Sequence, residues 1–225
     1  MDHPWIFYLL GQKVNLNTLI MAWAGMAVVL TLAWLSTRNL KVIPSKLQVV
    51  GEGFFDVCRG ITMATAGKRG DGFLFFIGSL FLFILTCNLM GQLPLKLISI
   101  PQGELIAATG DINTTSGLAL VSLFFYICFG IKKKGLRYFQ HYITPNVFFL
   151  PLNLLEDVTR PGSLLIRLYF NILVGEILSG IALKSAPYVL PSLVIFLELF
   201  VAVVQAYIFA ILSSVYVSLL SDDHH

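Results

Sequence analysis

The chain has 225 residues, of which 57% are apolar and 12% charged, with a formal net charge of +3 and a mean hydropathy of +0.83. Soluble domains carry roughly a quarter charged residues, so an ordinary soluble enzyme is excluded. The basic residues are not interleaved with stacking aromatics, which argues against nucleic acid as a partner. Cys58, Cys87 and Cys128 lie far apart without a CxxC or His/Cys pair, so neither a disulfide framework nor a metal site is expected.

Taken in chain order, the first apolar run covers Leu16 to Ser36. It lacks the basic start and small-residue cleavage site of a secretion signal, and reads as a retained span. A basic stretch with Arg38, Lys41 and Lys46 follows it. From Leu47 to Thr65, Val49, Val50, Phe54, Val57, Ile61 and Ala64 recur near helical spacing, with Glu52, Asp56 and Arg59 between them. That pattern predicts an amphipathic helix at a membrane surface, or a soluble connector helix. Lys68 to Gly72 reads as a polar turn.

A second span is expected from Phe73 to Met90, then a loop with partial order from Gly91 to Thr115. A third span runs from Ser116 to Ile131 and stops at Lys132 to Lys134. Cys87 and Cys128 fall inside these runs and are expected to be packing residues. Two long segments remain, Asn146 to Leu183 and Pro187 to Leu220. A helix of more than thirty residues is roughly 50 Å long, against about 30 Å of hydrocarbon. Such helices must be strongly tilted, bent or broken, with Pro151, Pro161 and Pro191 as kink points. The expectation is therefore an all-α membrane protein, a single integral membrane domain over residues 1–225. It has about five transmembrane helices and one surface helix, and its last two helices are long and strongly tilted.

With the N-terminus outside, the inner segments hold Arg38, Lys41, Lys46, Arg59, Lys68, Arg69, Lys132, Lys133, Lys134 and Arg137, and the outer ones only Lys13, Lys96 and Lys184. That bias fits the positive-inside rule. No internal repeat is present, which disfavours a transporter built from inverted repeats.

The informative stretch runs from Glu156 to Glu176. Arg167 is flanked by leucine and isoleucine, and an arginine at mid-bilayer costs about 2.5–3.5 kcal/mol on insertion scales. Glu156, Arg160, Ser163, Arg167 and Asn171 are spaced to form one polar stripe on a helix. Glu176 faces a different surface, about half a turn away in azimuth. On the last helix, Glu198 and Gln205 share a face. A hairpin through Ala186-Pro187 would pack the two helices antiparallel, with Glu176 level with Glu198 and Arg167 level with Gln205.

Two carboxyls at one level can relay protons. An arginine keeps its charge at any working pH; it can draw a carboxylate on a moving partner into its ionised form and repel cations that would leak past. Asn171 and Gln205 are expected to hold Arg167 by hydrogen bonds. The structural alternatives are a buried ion pair of Arg167 with Glu176 or Glu198, and a solvated interfacial cluster for Glu156, Asp157 and Arg160.

At these residues the chain resembles subunit a of F-type ATP synthases. Arg167-Leu-Tyr-Phe-Asn171 with Gly175-Glu176 resembles the family's arginine motif, and Gln205-Ala-Tyr-Ile-Phe209 its final-helix motif. Pro101 to Leu105, Gly110 to Thr115, Lys133 to Phe139 and Leu154 to Asp157 resemble the cyanobacterial and chloroplast branch, and the likeness covers about Arg38 to the C-terminus. Phe170 stands where the family has glycine, and would crowd the helix pair; Gly175 stands where plastid members have an acid, and Glu198 where they have none.

The resemblance implies a non-catalytic, proton-translocating stator subunit without cofactor or metal. Arg167 would face the c-ring, with Asn171, Glu176, Glu198 and Gln205 in the ion path and Glu156, Asp157 and Arg160 at an inner-side exit. The implied partners are the c-ring, b-type peripheral-stalk subunits, other ATP synthase subunits and lipid. The implied membrane is bacterial inner or thylakoid. A Na⁺-translocating version is an alternative, as are a secondary transporter or channel and a structural membrane scaffold.

Overall fold

The computed structural model describes residues 6–9, 12–38, 40–92, 108–135, 150–185 and 189–221. Six α-helices account for most of them: α1 (Leu16–Thr37), α2 (Lys46–Ala66), α3 (Leu74–Gln92), α4 (Ile112–Lys134), α5 (Leu150–Ser185) and α6 (Val189–Ser221). Five of these, all but α2, are long and apolar enough to cross a membrane. The all-α membrane fold read from the sequence is the fold observed. One element was not foreseen: a short antiparallel hairpin, β1 (Ile6–Leu9) with β2 (Gln12–Asn15), precedes α1.

The core is built on α3 and α6, which pack against each other more extensively than any other pair. The sequence reason lies in α6. Ala202, Ala206, Ala210, Ser214 and Ser218 recur every fourth residue and are all buried. Small side chains at that spacing let helices approach closely, which is how membrane helices associate when lipid is as apolar as leucine. Ile77, Leu80, Phe81 and Ile84 of α3 fill the facing surface, joined by Phe209 of α6 and by Leu164 and Leu168 of α5. At one end of the core Met21 of α1 meets Cys87 of α3 and Ala108.

Several polar groups inside this core are paired. Asn88, fully buried in α3, donates through Nδ2 to the Ala202 carbonyl at 3.4 Å and accepts at Oδ1 from the Thr109 hydroxyl at 2.8 Å. Near the end of α6 the Ser218 hydroxyl donates to the Thr65 carbonyl at 2.9 Å. Ser122 and Ser213 pair at 3.1 Å, and Thr65 and Ser214 form a further hydroxyl pair. This seam ties α2 and α4 to α6.

Helix α2 keeps most of its apolar stripe outside the bundle, with Ile61 the stripe residue that is buried. It buries Gln48, Cys58, Ile61 and Thr62, and leaves Val49, Val50, Phe54, Phe55 and Val57 exposed. Most of the apolar stripe is thus free to meet lipid, as a surface helix requires, while a stripe that contains Gln48 and Thr62 docks on the bundle. Among the cysteines, Cys58 and Cys87 are buried as packing residues, whereas Cys128 is exposed.

One boundary differs from expectation and two further segments are refined. Helix α4 starts at Ile112, inside the segment read as loop, because Asp111 caps it by accepting from the Asn113 amide at 2.9 Å. The polar turn after α2 is a 3-10 helix, Gly67–Gly72. The long helices are also unbroken: α5 runs 36 residues through Pro161. Pro151 and Pro191 sit in the first turns of α5 and α6, where proline removes no helical hydrogen bond.

The hydroxyl seam generates a prediction. In a double-mutant cycle of Thr65→Val and Ser214→Val, followed by unfolding of the purified protein in detergent, the two sites are expected to couple by about 0.6 kcal/mol and at most about 1.7. Additive effects would show that the pair contributes nothing to holding α2 on α6.

Candidate functional site

The site is carried by α5 and α6, which pack side by side. Leu164, Leu168 and Ile172 anchor one face of α5 in the core. That anchoring fixes the azimuth of every other residue on the helix. Arg167 is turned outward and exposed, with Thr159, Gly162, Ser163 and Ile166 around it in an open groove. Beside Arg167 and towards the C-terminal end of the helix its exposed neighbours are apolar, Ile166, Phe170, Val174, Ile177 and Ile181, while Ser163 and Thr159 are exposed towards the N-terminal end. An outward guanidinium set in such a face calls for a partner outside the chain, because charges in apolar surroundings are costly unless paired.

Phe170 is accordingly not wedged between the helices as anticipated. It points outward, about half exposed, with its ring edge-on to Tyr169 at 5.7 Å. Asn171, one turn on from Arg167, is half-buried.

On α6, Gln205 is buried with 5% of its surface exposed, and its Nε2 has no hydrogen-bond partner. Leaving a buried donor unsatisfied costs about 1–3 kcal/mol. The expected hydrogen bonds from Asn171 and Gln205 to Arg167 are not formed among the described residues. The physical reason is orientation: the arginine faces out, the glutamine in. An Arg167–Glu198 ion pair is also not formed.

Glu198 is instead held across the helix pair by α5. The Ser179 hydroxyl donates to its Oε1 at 2.8 Å. Gly175 lies directly beneath the carboxyl, since a Cβ added there would come within 3.1 Å of Oε1 and 3.2 Å of Cδ. This contact also fixes the helix register. It puts Arg167 level with about Ala206 to Ala210, deep within the apolar stretch of α6 that ends at Leu219.

Glu156, Asp157, Arg160 and Glu176 belong to α5, but their side chains lie outside the described residues. The first three precede Gly162, where the apolar stretch of α5 begins, so their backbone stands at its polar end. Two contributors escaped the sequence reading. Ser179 and Asn88 are polar residues inside apolar helices, and that alone was the available signal.

Five apolar helices around a close-packed core, with a charged residue and several polar ones on the last two, define a multi-pass integral membrane protein. The family model for the ATP synthase A chain matches residues 19–218. The chain belongs to that family. It is thus an ion-translocating, non-catalytic membrane subunit of the ATP synthase complex.

The Glu198 seat and the unpaired amide each yield a prediction. Gly175→Ala is expected to push the Glu198 carboxyl off Ser179, leaving assembly intact but slowing ATP-driven ion pumping by the reconstituted complex. Gly180→Ala, where an added Cβ meets nothing within 4 Å, should pump normally. For Gln205→Leu, unfolding in detergent should show unchanged or higher stability, by up to about 3 kcal/mol, since an unsatisfied buried donor is removed. Pumping should nevertheless fall.

Proposed function

We propose that this chain conducts protons along two half-channels formed against a ring of c subunits. The observation that supports it is the outward exposure of Arg167: a permanent charge on a helix face that is polar towards Ser163 and Thr159 and apolar from Phe170 onward, with no ion pair among the described residues. A carboxylate on a rotating partner is the counter-charge such a face would accept. The chain is oriented with its N-terminus outside and the Arg38 to Arg69 stretch inside, by the positive-inside rule. The apolar part of α6, 31 residues or roughly 46 Å, exceeds about 30 Å of hydrocarbon. A straight helix of that length would tilt by about 50°, and so lie across the ring rather than parallel to its helices.

In this reading, protons arrive from the outer side past Glu176 and Glu198 and load a ring carboxyl. Ser179 and Gly175 hold the Glu198 carboxyl at the seam between α5 and α6. After nearly a full turn the ring carboxyl meets Arg167. Two things then act together. The guanidinium stabilises the carboxylate form, so the proton leaves; and its fixed charge opposes a cation passing straight between the two routes. Gln205 supplies a buried amide donor at the level of this exchange, and Asn171 flanks it on α5. The released proton departs towards Glu156, Asp157 and Arg160 at the polar end of α5. The b-type subunits of the peripheral stalk restrain the chain against the ring's torque. The complex would sit in a bacterial inner membrane or a thylakoid membrane.

The test is reconstitution of the complex in vesicles, with ATP-driven acidification followed in Na⁺-free medium. The wild type is expected to pump without Na⁺. Arg167→Ala should assemble, lose pumping and raise the passive proton leak, while Arg167→Lys should retain the block to leak better than the alanine. Normal pumping by an assembled Arg167→Ala complex refutes the proposal, and a strict Na⁺ requirement refutes the choice of ion.

A further inference from the structure

Between α1 and α2 lies an elbow that the ion path does not use. Its residues alternate in character: Arg38, Lys41 and Lys46 are exposed, and so are Leu40, Val42 and Ile43 at 69%, 103% and 85%. Side chains that apolar, left fully open beside cations, do not suit water. They suit the boundary between headgroups and acyl chains, where apolar groups enter the hydrocarbon and cations meet phosphates. The elbow also continues directly from an apolar span, and the Arg38 guanidinium lies over the exposed Trp34 ring at 4.8 Å. Arginine on tryptophan is a favourable cation–π pair, and tryptophan settles at the membrane interface.

The elbow is also held in shape. Gln48, buried at 6% exposure, accepts from the Lys41 amide at 3.1 Å and donates to the Lys41 carbonyl at 3.1 Å and to Glu52 Oε1 at 2.8 Å. The Ser36 hydroxyl donates to the Leu47 carbonyl at 3.2 Å. Gly51 lets the two helices close here, since a Cβ at that position would lie 2.8 Å from Ser36 Cβ. A flexible basic linker would attract a lipid surface diffusely. One pinned at both ends loses less freedom when it binds a headgroup.

We propose that the α1–α2 elbow is a binding site for anionic phospholipid headgroups in the inner leaflet, with Arg38, Lys41 and Lys46 as the cations and Gln48 as the residue that pins the elbow's backbone at Lys41. The site is independent of ion translocation, so it stands or falls apart from the mechanism above. An acidic surface of a protein partner is the competing occupant. The exposed apolar residues between the cations and the continuity with a membrane span favour lipid.

The test uses the full chain with Trp5→Phe and Trp23→Phe, leaving Trp34 as the reporter. The protein is placed in vesicles of phosphatidylcholine with a minority of phosphatidylglycerol. The same amount of brominated acyl chain is carried on one lipid or on the other. Trp34 quenching is expected to be several-fold stronger with bromine on phosphatidylglycerol, since one surface cation near an anionic leaflet corresponds to about a fivefold preference. The combined Arg38→Gln, Lys41→Gln and Lys46→Gln variant should quench equally from both lipids. Gln48→Leu should lose at least half of the preference while keeping its helical circular dichroism. Added inorganic phosphate at constant ionic strength should change nothing. Equal quenching in the unmutated elbow overturns the proposal, as does a preference that survives loss of all three cations. Displacement by free phosphate overturns the lipid assignment.

Discussion

Everything at the site depends on how closely α6 can approach α3. Between membrane helices there is no hydrophobic drive to association, so shape and hydrogen bonds must supply it. Alanines and serines at every fourth residue of α6 make a shallow surface, and α3 fills it with isoleucine, leucine and phenylalanine. Leu164 and Leu168 of α5 join the same core. Burying those two leucines leaves Arg167, three and one residues away, no inward direction to take. The charge is exposed because its neighbours are not.

The same packing separates two kinds of buried polar group. Asn88 is satisfied on both sides, by Thr109 and by the Ala202 carbonyl, and so behaves as a fastener. Gln205 lies one turn further along α6 with an idle donor. A folded core ordinarily removes such groups or pairs them. Its persistence fits the proposed reading, in which the residue works only when the partner subunit or water is present.

Much of the architecture was legible in the sequence because a bilayer constrains a chain so strongly. Runs of about twenty apolar residues announced the spans, and five helices long and apolar enough to cross a membrane occupy them. Motifs around Arg167 and Gln205 were enough to suggest the family. Legibility failed where the outcome depended on which neighbour a residue meets. Periodicity put the apolar residues of α2 on one side, for a membrane surface, but did not show that Cys58, Ile61 and Thr62 would dock on the bundle and leave the valines outside. Periodicity says which residues share a side, not which side turns inward. Phe170 was expected between the helices for the same reason, and the hydrogen bonds foreseen for Arg167 assumed an azimuth that Leu164 and Leu168 decide otherwise. The small-residue stripe of α6 was in plain view, but its meaning emerges only once α3 is known to lie against it.

The seat of Glu198 has a consequence for how this seam can change. Gly175 leaves a hollow of a few atoms, and the carboxyl from the opposite helix occupies it. The hollow admits one acid, from one side. A side chain grown at 175 and an acid kept at 198 are rival tenants of the same space, so substitutions at the two positions are not independent. Moving the acid from one helix to the other calls for a reciprocal exchange. Chimeras that transplant either helix alone between relatives differing here would inherit a clash or a void.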